Sequence, residues 1–323
     1  MEILLENREL SIHKYYNGTF FMDLIKGLYK KYPEHTFKRA NRTEYINQGN
    51  GGVYSYLNLS IKNPENDKYI VVSAIDNWKN LFHENMGWKP DKMVKMFYSA
   101  GFNYFDYFNF KKHPRIKFPE NMTQVYEPFF YGTYKSGFDN LLTELYENRE
   151  IQHNKMYFRG WLQDFRKKML SEFKSSDCQI IDVRAEGSKT LLYEDYLKEM
   201  SEYTCSLSLP GATEICNRDI ESFAIGLPVI RPLLHTNYPD PLIPDYHYIN
   251  CYSDCKYWAG TPYYENFAEV GRGAVVYWNK VKDNTEYLNF IAKNARDWYL
   301  RNCTMENNLN YVMSKLDLEE LNG

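Results

Sequence analysis

The sequence predicts an α/β fold of two domains, and three observations carry the prediction. Residues 205–232 read as a strand, a polar turn, a helix and a second β-branched strand, the parallel crossover of α/β domains. The same alternation extends upstream to residue 155, so that four strands are separated by three helices in a doubly wound pattern. A chain of 323 residues is long enough for two cores.

In the first half, an amphipathic helix spans 19–31 and stops near Pro33. The stretch Gln48-Gly-Asn-Gly-Gly52 has the freedom to cradle a phosphate, but no Lys-Ser or Lys-Thr follows. It therefore matches no P-loop and reads as a turn before the alternating run 53–61. Residues 68–76 (Lys-Tyr-Ile-Val-Val-Ser-Ala-Ile-Asp) form a continuous apolar strand of the kind buried on both faces. Asp76 ends that strand, where it is suited to be a general base and equally suited to cap the turn containing Trp78. A helix is predicted over 93–100, stopped by Gly101 and followed by the aromatic cluster 102–110. His113, beside Pro114, is a second candidate base or a plain loop residue. A short strand over 124–131 is limited by Pro128, and a helix spans 138–149.

The second half opens with a strand over 155–160 (Lys-Met-Tyr-Phe-Arg-Gly), broken at Gly160 before an amphipathic helix over 162–173. Arg159 stands at the carboxyl end of that strand and Arg166 lies inside the helix. Arginine in both positions is suited to bidentate phosphate contact. The strand 178–183 leads to Arg184 and a turn, and a helix over 193–200 turns Leu197 and Met200 inward. Strand 205–209 is stopped by Pro210-Gly211. A polar turn with Thr213 and Glu214 then enters a helix carrying Asn217, Arg218, Ile220, Glu221, Phe223 and Ala224, ended by Gly226. Ligands in such sheets sit beyond the carboxyl ends of strands and against helix N-termini, the position of Thr213, Glu214, Asn217 and Arg218. After a Pro-rich loop (Pro239, Pro241, Pro244) and a short strand over 248–251, helices follow over 284–299 and 309–321. The domain boundary is predicted between residues 148 and 155. This gives an N-terminal domain 1–150, a second domain 151–303, and a C-terminal helix in 304–323 returning to the first domain.

A net charge of −3 offers no electrostatic reason to expect a nucleic acid. Aromatic residues make up 17% of the chain, with 30 Tyr and 6 Trp, which suits stacking on sugar rings or bases and is equally a product of compositional bias. The first ten residues carry Glu2, Glu6, Arg8 and Glu9, which is no signal peptide, and no run approaches the roughly 20 apolar residues of a membrane span. The 6 cysteines include the single pair Cys251-x3-Cys255. Reduced thiols and a cytoplasmic location are the expectation, rather than a zinc site or a disulfide framework.

Tyr157-Phe-Arg-Gly160, with Arg166 a turn and a half on, resembles the Phe-Arg-Gly signature of the KTEL-type protein O-glycosyltransferases. Glu214 to Pro228, with Asn217-Arg218, Glu221 and Gly226-Leu-Pro-Val-Ile, is similar to the nucleotide-sugar site of exostosin-like and other GT-B glycosyltransferases. The segment Phe290-Ile-Ala-Lys-Asn-Ala-Arg-Asp-Trp-Tyr299, with Asn310-Tyr311-Val312, is like the C-terminal helices of the KTEL family. The resemblance covers roughly half the chain. It implies a GT-B-like fold of two Rossmann-like doubly wound domains with an interdomain cleft. It implies transfer of a sugar, xylose or glucose, from a UDP-sugar to a hydroxyl of a glycan or glycoprotein. Arg159, Gly160, Arg166, Arg184, Thr213, Glu214, Asn217, Arg218 and Glu221 would then bind the sugar nucleotide, with Glu221 accepting from the ribose hydroxyls.

Two departures bear on mechanism. Many retaining GT-B enzymes carry two glutamates separated by seven residues, whereas six stand between Glu214 and Glu221; the spacing leaves the stereochemistry open, and the KTEL resemblance leans to inversion. No Asp-x-Asp triplet is present, so no metal or other bound cofactor is expected. An inverting enzyme needs a base, with Asp76 the first candidate and His113 the second. The missing signal peptide points to a bacterial or viral enzyme of the cytosol. The competing expectation is a non-catalytic carbohydrate-binding protein whose aromatic clusters 102–110 and 257–264 stack on glycans. An epimerase-like nucleotide enzyme is disfavoured by the absence of G-x-G-x-x-G.

Overall fold

A computed structural model of the chain describes residues 1–6, 16–40, 58–66, 68–73, 92–97, 122–126, 138–188, 190–209, 215–234, 240–253, 256–258, 261–263 and 267–322. They form two compact units, Met1–Pro128 with Thr304–Gly323, and Phe129–Cys303.

The first unit is built on a six-stranded sheet. Its strands are β1 (Glu2–Glu6), β2 (Thr36–Ala40), β3 (Asn58–Lys62), β4 (Tyr69–Ser73), β5 (Lys92–Phe97) and β6 (Met122–Tyr126), in the order β2-β1-β3-β4-β5-β6. The expected doubly wound parallel sheet is here a mixed one, because β3 runs antiparallel to both β1 and β4. The connection 63–68 is too short for a parallel crossover, which needs a dozen residues or more, so the chain turns back as a hairpin. Asn63 and Asn66 shape that hairpin by accepting from the backbone N–H groups of Glu65 and Lys68. The helix predicted over 93–100 is instead β5, parallel to both β4 and β6. Met93, Met96 and Phe97 fit a helical spacing, but pairing on both sides overrides that local pattern.

The core of this unit follows the two periodicities. Ile3 and Leu5, Leu59 and Ile61, and Ile70 and Val72 alternate inward from their strands, while Leu24, Ile25 and Leu28 line one face of α1 (Tyr16–Lys31). The last helix, Met305–Lys315, and the 3-10 turn Leu318–Leu321 complete the core with Val312, Met313, Leu316, Leu318 and Leu321. Polar contacts hold them: Lys31 Nζ donates to the carbonyls of Met313 (2.8 Å) and Leu316, Tyr32 to Leu316 (2.9 Å), and Asn63 and Asn66 to Leu321 (3.0 and 2.8 Å).

The second unit carries a parallel sheet of β7 (His153–Gly160), β8 (Cys178–Asp182), β9 (Tyr203–Leu207), β10 (Val229–Arg231) and β11 (Ile249–Asn250), in the order β11-β10-β9-β7-β8. The chain begins at β7, adds β8 on one side, then crosses back to lay β9, β10 and β11 on the other. The order therefore reverses between β7 and β9, and the crevice outside their carboxyl ends is the topological switch point where open α/β sheets bind ligands. Around the sheet stand α2 (Asp139–Glu147), α3 (Asp164–Leu170), α4 (Tyr193–Ser201), α5 (Asn217–Ala224), α6 (Phe267–Val281) and α7 (Thr285–Asn302). The unit starts at Phe129, so α2 belongs to it, where the sequence placed the boundary near residue 150. The sequence reading did not anticipate α6. That helix packs against α3 through Gly271, where a β-carbon would land on the Met169 carbonyl oxygen.

Two arginines tie down the C-terminal end of α5, complementing the negative pole of the helix. Arg149 donates to the Gly226 carbonyl at 2.5 Å, and Arg296 donates to that of Ala224. Burial pulls the Arg149 pKa down to about 10, which still leaves it charged at neutral pH.

Candidate functional site

The site forms where β7 ends and α5 begins. Met156, Tyr157 and Phe158 are buried in the sheet, which brings Arg159 and Gly160 to the carboxyl edge. The start of α5 is set by a buried ion pair. Asp219, fully buried, accepts from Arg231 Nη1 at 2.7 Å through one carboxylate oxygen and from the Cys216 backbone N–H at 2.7 Å through the other. Arg231 is itself 1% exposed. One side chain thus satisfies an N-terminal amide of the helix and anchors it to the end of β10.

From that anchored turn Arg218 reaches across to β7. Its Nη2 donates to the Arg159 carbonyl, and its guanidinium stacks 4.2 Å from the centre of the Phe158 ring. Only 7% of Arg218 is exposed, yet its Nε and Nη1 are buried without a hydrogen-bond partner among the described residues. Gly160 makes the reach possible, because a β-carbon there would lie 2.8 Å from Nη2.

Arg166 enters the same region from α3. It is 8% exposed and donates to the carbonyls of Trp161 (3.0 Å) and Leu209 (3.1 Å) and to Cys216 Sγ (3.7 Å). Its pKa is lowered, first by burial and then by the Arg218 charge, with Cys216 acting in the opposite sense. Two buried cations therefore lie beside the Phe158 ring at the switch point, close enough for one charge to act on the other, with two donor nitrogens of one left over among the described residues. An anion placed there would relieve the repulsion and pair the orphaned donors.

Arg159, placed by the sequence among the anion contacts, is engaged within the protein. Its Nη2 bridges to Glu199 at 3.0 Å and its Nε donates to the Tyr157 hydroxyl at 3.0 Å. Burial opposes its charge, but Tyr157 and Glu199 outweigh it and the pKa rises. Glu221 is also buried and accepts from the Tyr196 hydroxyl at 2.8 Å. Its pKa is raised by burial, against the hydrogen bonds of Tyr196 and Tyr193 and the attraction of Arg218. Asn217 is the first residue of α5.

Arg184, just beyond β8, lies with its guanidinium 3.6 Å from the centre of the Trp161 ring. Asp76, His113, Thr213 and Glu214 lie outside the described residues, as do the aromatic cluster 102–110 and residues 259, 260 and 264 of the cluster 257–264. Asp219, Arg231, Tyr193 and Tyr196 were not singled out by the sequence reading. The available signal was Arg231 itself, a charge closing an apolar strand and therefore in need of a buried partner. Among the described residues, no three His, Cys, Asp or Glu side chains are gathered as metal ligands, and no helix is long and apolar enough to cross a membrane.

No family model matches the chain, and no curated protein matches it. Solved structures do resemble it. A glycosyltransferase from Rickettsia africae ESF-5 shares 12% identity at a TM-score of 0.45, over 97% of this chain and 94% of that one. An α-glucosyltransferase, in complex with UDP-glucose and DNA containing an abasic site, shares 10% identity at a TM-score of 0.47, over 98% and 99% of the two chains. A mutant of S. aureus TarM, in complex with fondaparinux, α-GlcNAc-glycerol and UDP, shares 7% identity at a TM-score of 0.42, over 82% of this chain and 62% of that one. These are distant likenesses, at a level where no shared activity follows.

Proposed function

We propose that the protein is a glycosyltransferase that moves a sugar from a UDP-sugar to a hydroxyl of a glycan or glycoprotein. The observation that carries the reading is Arg218, a buried guanidinium at the switch point with Nε and Nη1 unpartnered among the described residues and a second buried arginine beside it. A diphosphate is the leaving group of sugar-nucleotide chemistry, and its departure builds negative charge that must be stabilised in a site shielded from water. Arg218 and Arg166 would take that charge. Arg159 has a positioning part, since its carbonyl holds Arg218 and its own side chain is tied to Glu199.

In this reaction the acceptor oxygen forms a bond to the anomeric carbon as the bond from that carbon to the β-phosphate oxygen breaks. The acceptor proton passes to a base, for which Asp76 and His113 are the candidates. Inversion at the anomeric carbon, a two-domain GT-B arrangement with donor and acceptor in the cleft, metal independence and a cytoplasmic location belong to the same proposal.

Isothermal titration with UDP tests the donor site. Wild type is expected to bind, and Arg218→Ala to lose at least tenfold in affinity, since a hydrogen bond to a charged group is worth about 1.5 to 3 kcal/mol. Equal binding by the two proteins would overturn the site. Release of free sugar or its transfer, in a screen of UDP-sugars, separates an enzyme from a carbohydrate-binding protein.

A further inference from the structure

We infer that Trp161 and Arg184 form the subsite for the nucleobase of the nucleotide, an inference that rests on the donor reading above. Trp161 directly follows Gly160, so its Cα lies about 3.8 Å from the residue that makes room for Arg218. Its own carbonyl accepts from Arg166 at 3.0 Å, which ties the start of the indole side chain to the cationic pair.

Three contacts bring Trp161 and Arg184 together from adjacent strand ends. Gly160 and Asp182 are partners in the β7–β8 register, and the Val183 N–H donates to the Gly160 carbonyl at 3.2 Å. Asp182 Oδ1 then accepts from the backbone N–H groups of both Leu162 (3.3 Å) and Arg184 (3.1 Å), clamping the two turns with one carboxylate. The Arg184 guanidinium, 3.6 Å from the ring centre, is at the distance of a face-on stack.

The pair is nevertheless exposed. Trp161 remains 41% open to solvent, and Arg184 is exposed beyond it. A large exposed aromatic held against a guanidinium, one residue from the glycine beside Arg218, is a stacking surface with part of its ordering already in place. Planar heterocycles stack on such surfaces and on guanidinium faces, whatever their hydrogen-bonding edges. Phosphates at Arg218 and Arg166 and a base on the Trp161–Arg184 stack together describe a nucleoside diphosphate lying across the ends of β7 and β8.

The test is titration of the full-length protein with UDP and, separately, with inorganic pyrophosphate, in wild type, Trp161→Ala, Trp161→Phe and Arg218→Ala. Trp161→Ala is expected to weaken UDP about tenfold or more while leaving pyrophosphate unchanged, and Trp161→Phe to restore most of the UDP affinity. Retained pyrophosphate binding also shows that the variant is folded. If Trp161→Ala binds UDP as wild type does while Arg218→Ala does not, the nucleobase subsite is wrong and the donor site stands. If Trp161→Ala loses UDP and pyrophosphate equally, Trp161 acts only by holding Arg166, and the subsite is again wrong. If wild type binds neither ligand, the donor reading falls and this inference with it.

Discussion

Replacing Gly160 with alanine tests the geometry of the cationic pair without touching a charge. The new β-carbon would stand 2.8 Å from Arg218 Nη2. An ordinary contact with carbon is about 3.5 Å, so the guanidinium must retreat by roughly 0.7 Å. Retreat along the chain is limited, since the group is stacked 4.2 Å from the Phe158 ring and bonded to the Arg159 carbonyl. Losing that bond entirely would cost about 1.5 to 3 kcal/mol, and weakening it by half about 1 kcal/mol. The affinities for UDP and for pyrophosphate are therefore expected to fall about five- to tenfold, read by isothermal titration. Stability should fall by no more than about the 1 kcal/mol of the weakened bond, offset in part by the substitution itself. Gly160 is not among the glycines at positive φ, and alanine at a compatible position restricts the unfolded chain in favour of folding. If Gly160 acts through Arg218, the double variant Gly160→Ala with Arg218→Ala should bind no more weakly than Arg218→Ala alone. Wild-type affinity in Gly160→Ala, or additive losses in the double variant, would refute the reasoning.

Two further predictions concern the frame of the site. Asp219→Ala deprives the buried Arg231 of its carboxylate and the Cys216 amide of its acceptor, and should cost about 3 to 5 kcal/mol in urea unfolding; a loss below about 1 kcal/mol would show that the pair does not organise α5. His247, buried, accepts from the Ile243 N–H through Nδ1 at 2.8 Å, and burial, with Arg301 adding and Asp240 opposing, lowers its pKa from 6.5 to about 4. Because the unfolded chain takes up this proton first, the stability from neutral His247 is complete above pH 6.5 and is lost as pH falls toward 4, by up to about 3 kcal/mol. His247→Gln should lack that portion of the acid sensitivity, and identical pH profiles of the two proteins would exclude it.

The parts of this fold that were legible in the sequence are those where local pattern and tertiary role coincide. The crossover 205–232 combines a buried strand, Pro and Gly stops, and a helix with one apolar face, and it stands in the structure as β9, α5 and β10. The strand before Gly160 was equally plain. Strand β5 was misread because Met93, Met96 and Phe97 satisfy helical spacing, and only pairing with β4 and β6 decides otherwise. Helix α6 was missed because Gly271, Gly273 and several valines lower its intrinsic helix propensity. Those glycines answer to neighbouring backbone, at Met169 and Cys251, which no local window contains. At the site, the residue types were readable but their allegiances were not. Arg159 and Arg218 look alike in sequence, and only the placement of Glu199 and Tyr157 commits the former to the protein while two donors of the latter find no partner among the described residues.

The division of the chain also dictates an order of birth. The second unit is one uninterrupted stretch, finished when Cys303 leaves the ribosome, whereas the first is missing Val312, Met313, Leu316, Leu318 and Leu321 until that later segment has been made. Vectorial synthesis ordinarily lets the N-terminal unit fold first. Here the older segment must wait with Ile3, Leu5, Leu24 and Leu28 uncovered on one side while the younger one closes. The nascent chain thus completes its second unit before its first can form, and loss of residues 312–321 would leave an apolar surface for chaperones and proteases to find.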